Sequence, residues 1–336
     1  MAYTLTDAIA DSSSSKTNAP PRQEPPGTMT LFSLVLALLL EQFRPLNASK
    51  VLYPPLEALG DFFESRFNDG QARHGMIAWW LMVLPPVLLV AVIYFVLYHA
   101  VHPLAAFVFN IAVLYCTMGF RHVSHFFTRI HAALRAQDLQ TARNLIGEWR
   151  GHLHEQSSSQ EISRLAIENG IIGAHRQVFA IIILFVPLAG PCGAVLYRMS
   201  EFYARYWGKS KDADMREFGS FAYKAFYWID WLPSRISAIS FSIVGDFEDA
   251  IYCWRTQADQ WPEQTEGVLL ASGAGALGVR LGQPIHQSGE IIERPELGTG
   301  DEAEVEYLQS FVGLVRRTLV LYVLLLLTMG ITRLVS

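Results

Sequence analysis

The stretch AIENGIIGAHRQVFAIIILFVPLAGPCGAVLYRM, residues 166–199, decides the fold. A polar helix from Ala166 to Arg176 runs straight into an apolar run from Val178 to Leu196. Pro187, Gly190, Pro191 and Gly193 interrupt that run. In water it would be an unusual buried core. In lipid it is nearly long enough to cross, because a span takes roughly 20 apolar residues. Broken helix at membrane depth is tolerated only where protein or a water-filled cavity covers the freed backbone. The break is therefore expected beside a cavity or other helices, with the 168–176 segment as its rim. Any ligand site is expected there.

Composition supports the membrane reading. Of 336 residues 51% are apolar and only 17% charged, against about 25% charged in soluble domains, and the mean hydropathy is +0.24. A net charge of -5 argues against nucleic acid as a partner. Cys116, Cys192 and Cys253 are far apart and fit neither a disulfide framework nor a zinc site; they read as inert thiols.

Working outward, Met76 to Tyr98 and Pro103 to Phe120 form a helical hairpin of two spans with a very short turn. Trp79 and Trp80 suit one interface and Tyr98 the other, while Pro85 and Pro86 predict a kink. Asn110, near the centre of the second span, reads as an interhelical hydrogen-bonding group. A short apolar segment, about 30–43, and a last span, about 318–335, complete the set. The fold expected is an all-α integral membrane protein with four or five transmembrane or re-entrant helices and helical cytoplasmic loops. Residues 1–28, rich in Ser, Pro and Thr, are expected to be a disordered extension, and 29–336 a single membrane domain.

Seven arginines between 121 and 176 contrast with none at 99–102, so the positive-inside rule places 44–75 and 121–176 in the cytoplasm. The basic stretch 198–235 favours re-entry of the 178–197 segment; its length favours crossing. Asp138 is a predicted N-cap for a helix from Leu139 to Trp149. Residues 257–300 read as loop-rich, with Gly273, Gly275, Gly278 and Gly282 making tight turns. Pro233 is expected near the start of a helix, and Gly245-Asp-Phe-Glu-Asp249 at the solvated start of another. His122 and His125 lack further ligands in register, so no metal is assigned.

Six motifs occur in a particular order: Asp138-Leu-Gln-Thr-Ala-Arg143; Arg150 and Arg164-Leu-Ala-Ile-Glu168; Gly193-Ala-Val-Leu-Tyr197; Trp231-Leu-Pro-Ser-Arg235; Gly275-Ala-Leu-Gly-Val-Arg-Leu-Gly282; Arg294-Pro-Glu-Leu-Gly298. With them the chain, from Met29 onward, resembles the CobD/CbiB family of cobalamin-biosynthesis membrane proteins. The resemblance implies an adenosylcobinamide-phosphate synthase, which uses ATP and magnesium to join aminopropanol or its phosphate to adenosylcobyric acid through an amide. It implies a bacterial inner-membrane location, several membrane passes and contact with lipid. The same resemblance extends to AmpE-like members tied to β-lactamase induction.

Three departures set the expectation for function. Where the ligases carry an Ala-Glu-Asn-x-x-Asp-Gly run, this chain has Ile171 to Gln177, with Arg176 at the Asp position. Their Asn-Thr-Leu-Asp is here Glu201-Phe-Tyr-Ala204, and their Asp-Asp pair is Phe226 and Tyr227. Carboxylates hold the metal in such chemistry, and single electrostatic groups are worth about 3 kcal/mol of transition-state stabilisation. The leading expectation is a non-catalytic or altered, AmpE-like member that binds a corrinoid, another small molecule or a partner protein. Arg164, Glu168, Arg176, Tyr197 and Arg235 are its candidate ligand-binding residues. The alternative is an active Mg/ATP-dependent ligase in which Glu168, Glu201 and Asp230 rebuild the acidic site. A purely structural membrane protein is the third reading.

Overall fold

The computed structural model describes residues 26–44, 52–68, 72–188, 190–208 and 213–335. Its helices are α1 (Pro26–Phe43), α2 (Tyr53–Phe67), α3 (Ala72–Val96), α4 (Pro103–Thr117), α5 (Phe120–Arg135), α6 (Leu139–Arg150), α7 (Ser159–Ala174), α8 (Ala180–Phe185), α9 (Cys192–Gly208), α10 (Ala213–Val244), α11 (Phe247–Gln257), α12 (Gln264–Leu277) and α13 (Val305–Val335). Two π turns, Leu97–Val101 and His175–Phe179, extend α3 and join α7 to α8.

Among the described residues, three stretches are long and apolar enough to cross a membrane: Arg73–Val101, Ser159–Phe185 and Val305–Thr332. Shorter apolar helices cover Met29–Phe43 and Pro103–Thr117. The first long stretch is peripheral. Leu88, Leu89, Val92 and Phe95 on it are exposed, as side chains meeting hydrocarbon would be. The second is central, with Ile162, Leu165, Ile167, Ile171 and Phe179 fully buried among the other helices. The protein is an all-α membrane protein.

The 166–199 stretch folds differently from a single apolar helix over 178–197. The long helix begins earlier, at Ser159, where Ser158 accepts the Glu161 N–H at 3.1 Å as N-cap, and it ends at Phe185. Pro187 and Pro191 cannot donate to a continuing ladder, and Gly190 takes a φ of +63°. The chain then doubles back. A Cβ on Gly193 would lie 2.1 Å from the Leu184 carbonyl oxygen, so α9 packs on the end of α8 through bare backbone.

Local signals elsewhere do as expected. Asp138 caps α6 by accepting from Thr141 N at 3.0 Å, and Asp246 caps α11. Other expectations are corrected. Pro233 sits inside the 32-residue α10 instead of at a helix start. Gly273 and Gly275 lie inside α12; a Cβ on Gly275 would meet the Asp249 carbonyl oxygen at 2.4 Å, so the glycine lets α11 and α12 touch. The last span, expected at about 318–335, is the end of one continuous helix, α13, that begins at Val305. Residues 1–25 of the expected extension lie outside the described residues, and Pro26 opens α1.

The segment read as loop-rich, 257–300, carries four short strands, β1 (Val279–Gly282), β2 (Ile285–Gln287), β3 (Glu290–Ile292) and β4 (Glu296–Leu297), and β5 (Asp301–Glu302) follows it. β1 pairs antiparallel with β4, Leu281 opposite Leu297, and parallel with β5, Val279 opposite Asp301. β2 and β3 form a hairpin whose turn residues Ser288 and Gly289 have φ of +52° and +85°, the signs a tight two-residue hairpin turn requires. With Val279, Leu281, Ile285 and Leu297 buried, this strap is fastened along α7.

Candidate functional site: two charge centres on one helix

Glu161, Arg164 and Glu168 are three and four residues apart, which stacks them on one face of α7. The strap meets each in turn. Glu161 accepts from Ser157 Oγ at 2.7 Å, from the His286 backbone N–H at 2.7 Å and from His286 Nδ1 at 3.0 Å. Arg164 donates to Gln283 Oε1, and to the Pro284 carbonyl oxygen at 2.8 Å. Glu168, only 2% exposed, accepts from the Gly282 N–H at 2.9 Å and from both terminal nitrogens of Arg294 at 2.8 and 3.1 Å. This is the bidentate fork that Arg forms with carboxylates.

Arg294 is held in turn by the carbonyl oxygens of Gly282 at 2.8 Å and Gln283 at 3.1 Å, and it lies 5.4 Å above the Trp261 ring. Gly282 has a φ of +72°, and a Cβ there would stand 1.9 Å from the Pro295 carbonyl oxygen. Arg150, at the end of α6, donates to Asn169 Oδ1 at 2.9 Å. Burial lowers the Arg150 pKa, Glu168 opposes that, and Arg294 adds to it. The first centre thus gathers Arg150, Arg164, Arg294 and Glu168.

The second centre starts at the π turn, an insertion that re-aims side chains and is common at functional sites. His175, fully buried, is 2.8 Å from Asp230 Oδ1 through Nε2 and 2.9 Å from Ser237 Oγ through Nδ1. Tyr197 donates to the same Asp230 oxygen at 2.9 Å, and Ser240 donates to Tyr322 at 3.1 Å just beyond. Arg176 pairs with Glu266 at 2.9 Å and Glu263 at 3.5 Å, and lies over Phe226. Burial, and then the negative Glu266 beside it, push Glu263 up to about 7.

The five expected ligand-binding residues are therefore divided. Arg164 and Glu168 belong to the first centre; Arg176 and Tyr197 belong to the second. Arg235 stands apart, bonded to its own Trp231 carbonyl oxygen at 2.9 Å and stacked 4.0 Å over the Trp231 ring. Glu168, Glu201 and Asp230 are not grouped to share one metal ion, although Glu201 and Asp230 both lie within electrostatic reach of Arg176. Glu201 is paired with Arg198 at 2.6 Å and Arg205 at 3.6 Å, Asp230 with His175, and Glu168 with Arg294. A magnesium ion takes its oxygen ligands at about 2.0–2.1 Å from one shared point. Among the described residues no three His, Cys, Asp or Glu side chains are grouped to hold a metal ion, so these donors as placed do not fit it.

Sequence reasoning overlooked Arg150, Arg294, His175, Glu263 and Glu266 as site residues. Arg150 and Arg294 were visible within the ordered motifs. His175 carried a signal of its own, as an ionisable residue at the threshold of an apolar run. Nothing local marked Glu263 or Glu266.

Comparison with known proteins accounts for the order of these motifs. A family model described as CobD/Cbib protein matches residues 34–315. The cobalamin biosynthesis protein CobD of Stutzerimonas stutzeri is 31% identical over 309 residues, covering 90% of this chain and 99% of that protein. The cobalamin biosynthesis protein CobD of Chromobacterium violaceum is 32% identical over 229 residues, 68% of this chain and 73% of that one. That of Mycobacterium tuberculosis is 28% identical over 193 residues, 56% and 61%. No solved structure gives a significant match. The motif residues drawn from five separate helices and the strap, and the match along nearly its whole length, place this chain in the CobD/CbiB family.

Proposed function

We propose that the chain is a multi-pass protein of the bacterial inner membrane, surrounded by lipid, that binds a small ligand at its core without carrying out the amide ligation of the cobalamin pathway. In this reading it is an altered, AmpE-like member of its family. The observation that carries it is the state of Glu168: a backbone N–H and both arms of Arg294 occupy its carboxylate. Glu201 is paired with Arg198 and Asp230 with His175, each by hydrogen bonds through one oxygen, while Glu201 Oε1 and Asp230 Oδ2 are buried without a hydrogen-bond partner among the described residues. Phosphoryl chemistry relies on groups free to stabilise metal-held phosphates; Glu168 is fully engaged, and each of the other two acids is paired with a different basic side chain.

The test is complementation in a bacterial strain lacking its own adenosylcobinamide-phosphate synthase, supplied with cobyric acid. Expression of this chain is expected to leave the strain unable to complete cobalamin. Growth equal to that given by a known synthase would overturn the reading.

A second reading, the active ligase, is favoured by one arrangement. Glu263, Glu266 and Asp230 surround Arg176 and offer carboxylates that the motif comparison does not supply. It predicts Mg-ATP-dependent amide formation by purified protein, lost on Glu266→Gln. Its appeal is strengthened by relatives that bear the name of a biosynthetic protein.

A further inference from the structure

We propose that Arg150, Arg164 and Arg294 form an anion-binding site for the carboxylate or phosphate group of a small ligand, in which Glu168 is the resident counter-ion that the ligand displaces. The inference rests on the ligand-binding reading above and names the chemistry of that ligand.

The charge count is the first argument. Three guanidiniums surround one carboxylate, and only Arg294 is paired to it by hydrogen bonds. Arg150 and Arg164 are within electrostatic reach of Glu168 and of each other's neighbour Arg294. Their hydrogen bonds, however, go to uncharged oxygens: Asn169 for Arg150, Gln283 and Pro284 for Arg164. The nearby carboxylates are already engaged. Glu161 is bound to His286, Glu266 to Arg176, and Glu302 to Arg280. Three arginines thus face two carboxylates, Glu161 and Glu168, and Glu161 is hydrogen-bonded to Ser157 and His286 instead of to any of the three.

Donor geometry is the second. The Nε atoms of Arg150 and Arg164 are buried and have no hydrogen-bond partner among the described residues. A buried donor without an acceptor costs about 1–3 kcal/mol; an oxyanion with several lone pairs is the kind of acceptor such donors lack. The Gly282 N–H adds a backbone donor beside the Arg294 fork, the combination used to cradle oxyanions. Access is on the Arg164 side, where its bond to the Pro284 carbonyl oxygen is solvent-exposed.

The experiment titrates the purified full-length protein, in detergent or nanodiscs, with inorganic phosphate and separately with propionate. Chloride at equal ionic strength is the control, and calorimetry with thermal shift is the readout. At least one of the two anions is expected to bind and raise the melting temperature; the one that does identifies the ligand group. Arg150→Gln and Arg164→Gln should each weaken binding by about tenfold, the loss of one charge-assisted hydrogen bond. Arg164→Lys keeps the charge and should restore part of it. Glu168→Gln removes the competitor and should tighten binding by about tenfold, which makes a protein that is less stable in chloride recover in the anion. Equal binding by wild type and both Gln variants, or no binding even by Glu168→Gln, would overturn the site. Such failure with no complementation leaves the functional reading standing; anion binding together with complementation keeps the site and removes that reading.

Discussion

The 161–168 face of α7 and the π turn at 175–179 belong to one continuous helical path, yet their charges are inverted. The first centre sets three arginines against Glu168. The second sets Asp230, Glu263 and Glu266 against Arg176, with His175 against Asp230. The partners also come from different places. Arg294 is delivered by a β strap 126 residues away in sequence, whereas Asp230 and Glu266 stand on the helices α10 and α12. The difference teaches that the same buried helix can present opposite needs to solvent or ligand. At one end a missing carboxylate leaves positive charge exposed to low dielectric; at the other, a missing carboxylate relieves repulsion.

The largest effect should follow from breaking the first centre. Glu168→Gln leaves Arg294 buried with 11% of its side chain exposed and no carboxylate. Removing one partner of a buried pair typically costs about 3–5 kcal/mol. A lowered melting temperature in detergent measures it. Arg294→Gln should cost a similar amount, and the double variant less than the sum, because the two losses share one interaction. Strict additivity would break the claim that these groups act as a pair.

At the second centre, Asp230→Asn is expected to cost about 2–3 kcal/mol, the range for hydrogen bonds to a charged group. It is smaller than at Glu168 because the amide oxygen still accepts from Tyr197, and His175 retains Ser237 through its other nitrogen. The same thermal measurement ranks the two. A loss larger than that of Glu168→Gln would invert the comparison and make the second centre the main clasp of the fold.

How far such centres are legible in sequence depends on the range of the forces. The cap at Asp138, the helix start at 245–249, and the apolar stretches around 76–98 and 318–335 were readable because the signal is local: a side-chain acceptor three residues from its N–H donor, or a run of about 20 apolar residues. Pro187 and the glycines announced a break, but whether the chain crossed or turned rested on Gly193 meeting Leu184 backbone, a tertiary contact. The strap escaped notice because its strands are two to four residues long, too short for alternation to register. Glycines 273 and 275 looked like loop residues because close helix packing and tight turns both favour a missing side chain. Glu168 and Arg164 were found through motifs; their partners were hidden by sequence separation.

The smallest effect has the opposite sign, and it sharpens the comparison most. Glu263 has its pKa raised from an ordinary 4.5 to about 7 by burial and by Glu266. The folded protein therefore binds more protons at this site than the unfolded chain between those values, and stability falls as pH rises from 4.5 to 7. Below that window both states are protonated and the site is neutral in effect; above it the full penalty applies. Because the side chain is 38% exposed, solvent screening holds the penalty to about 1 kcal/mol. Glu263→Gln should flatten this part of the pH profile and leave the variant more stable than wild type by about that amount near pH 8, with Glu266 still holding Arg176. Unfolding curves in detergent across the window read it directly. A wild-type stability that rises through the window, or a variant that keeps the wild-type slope, would mean that Arg176 neutralises both glutamates, and the second centre would no longer be the negative counterpart of the first.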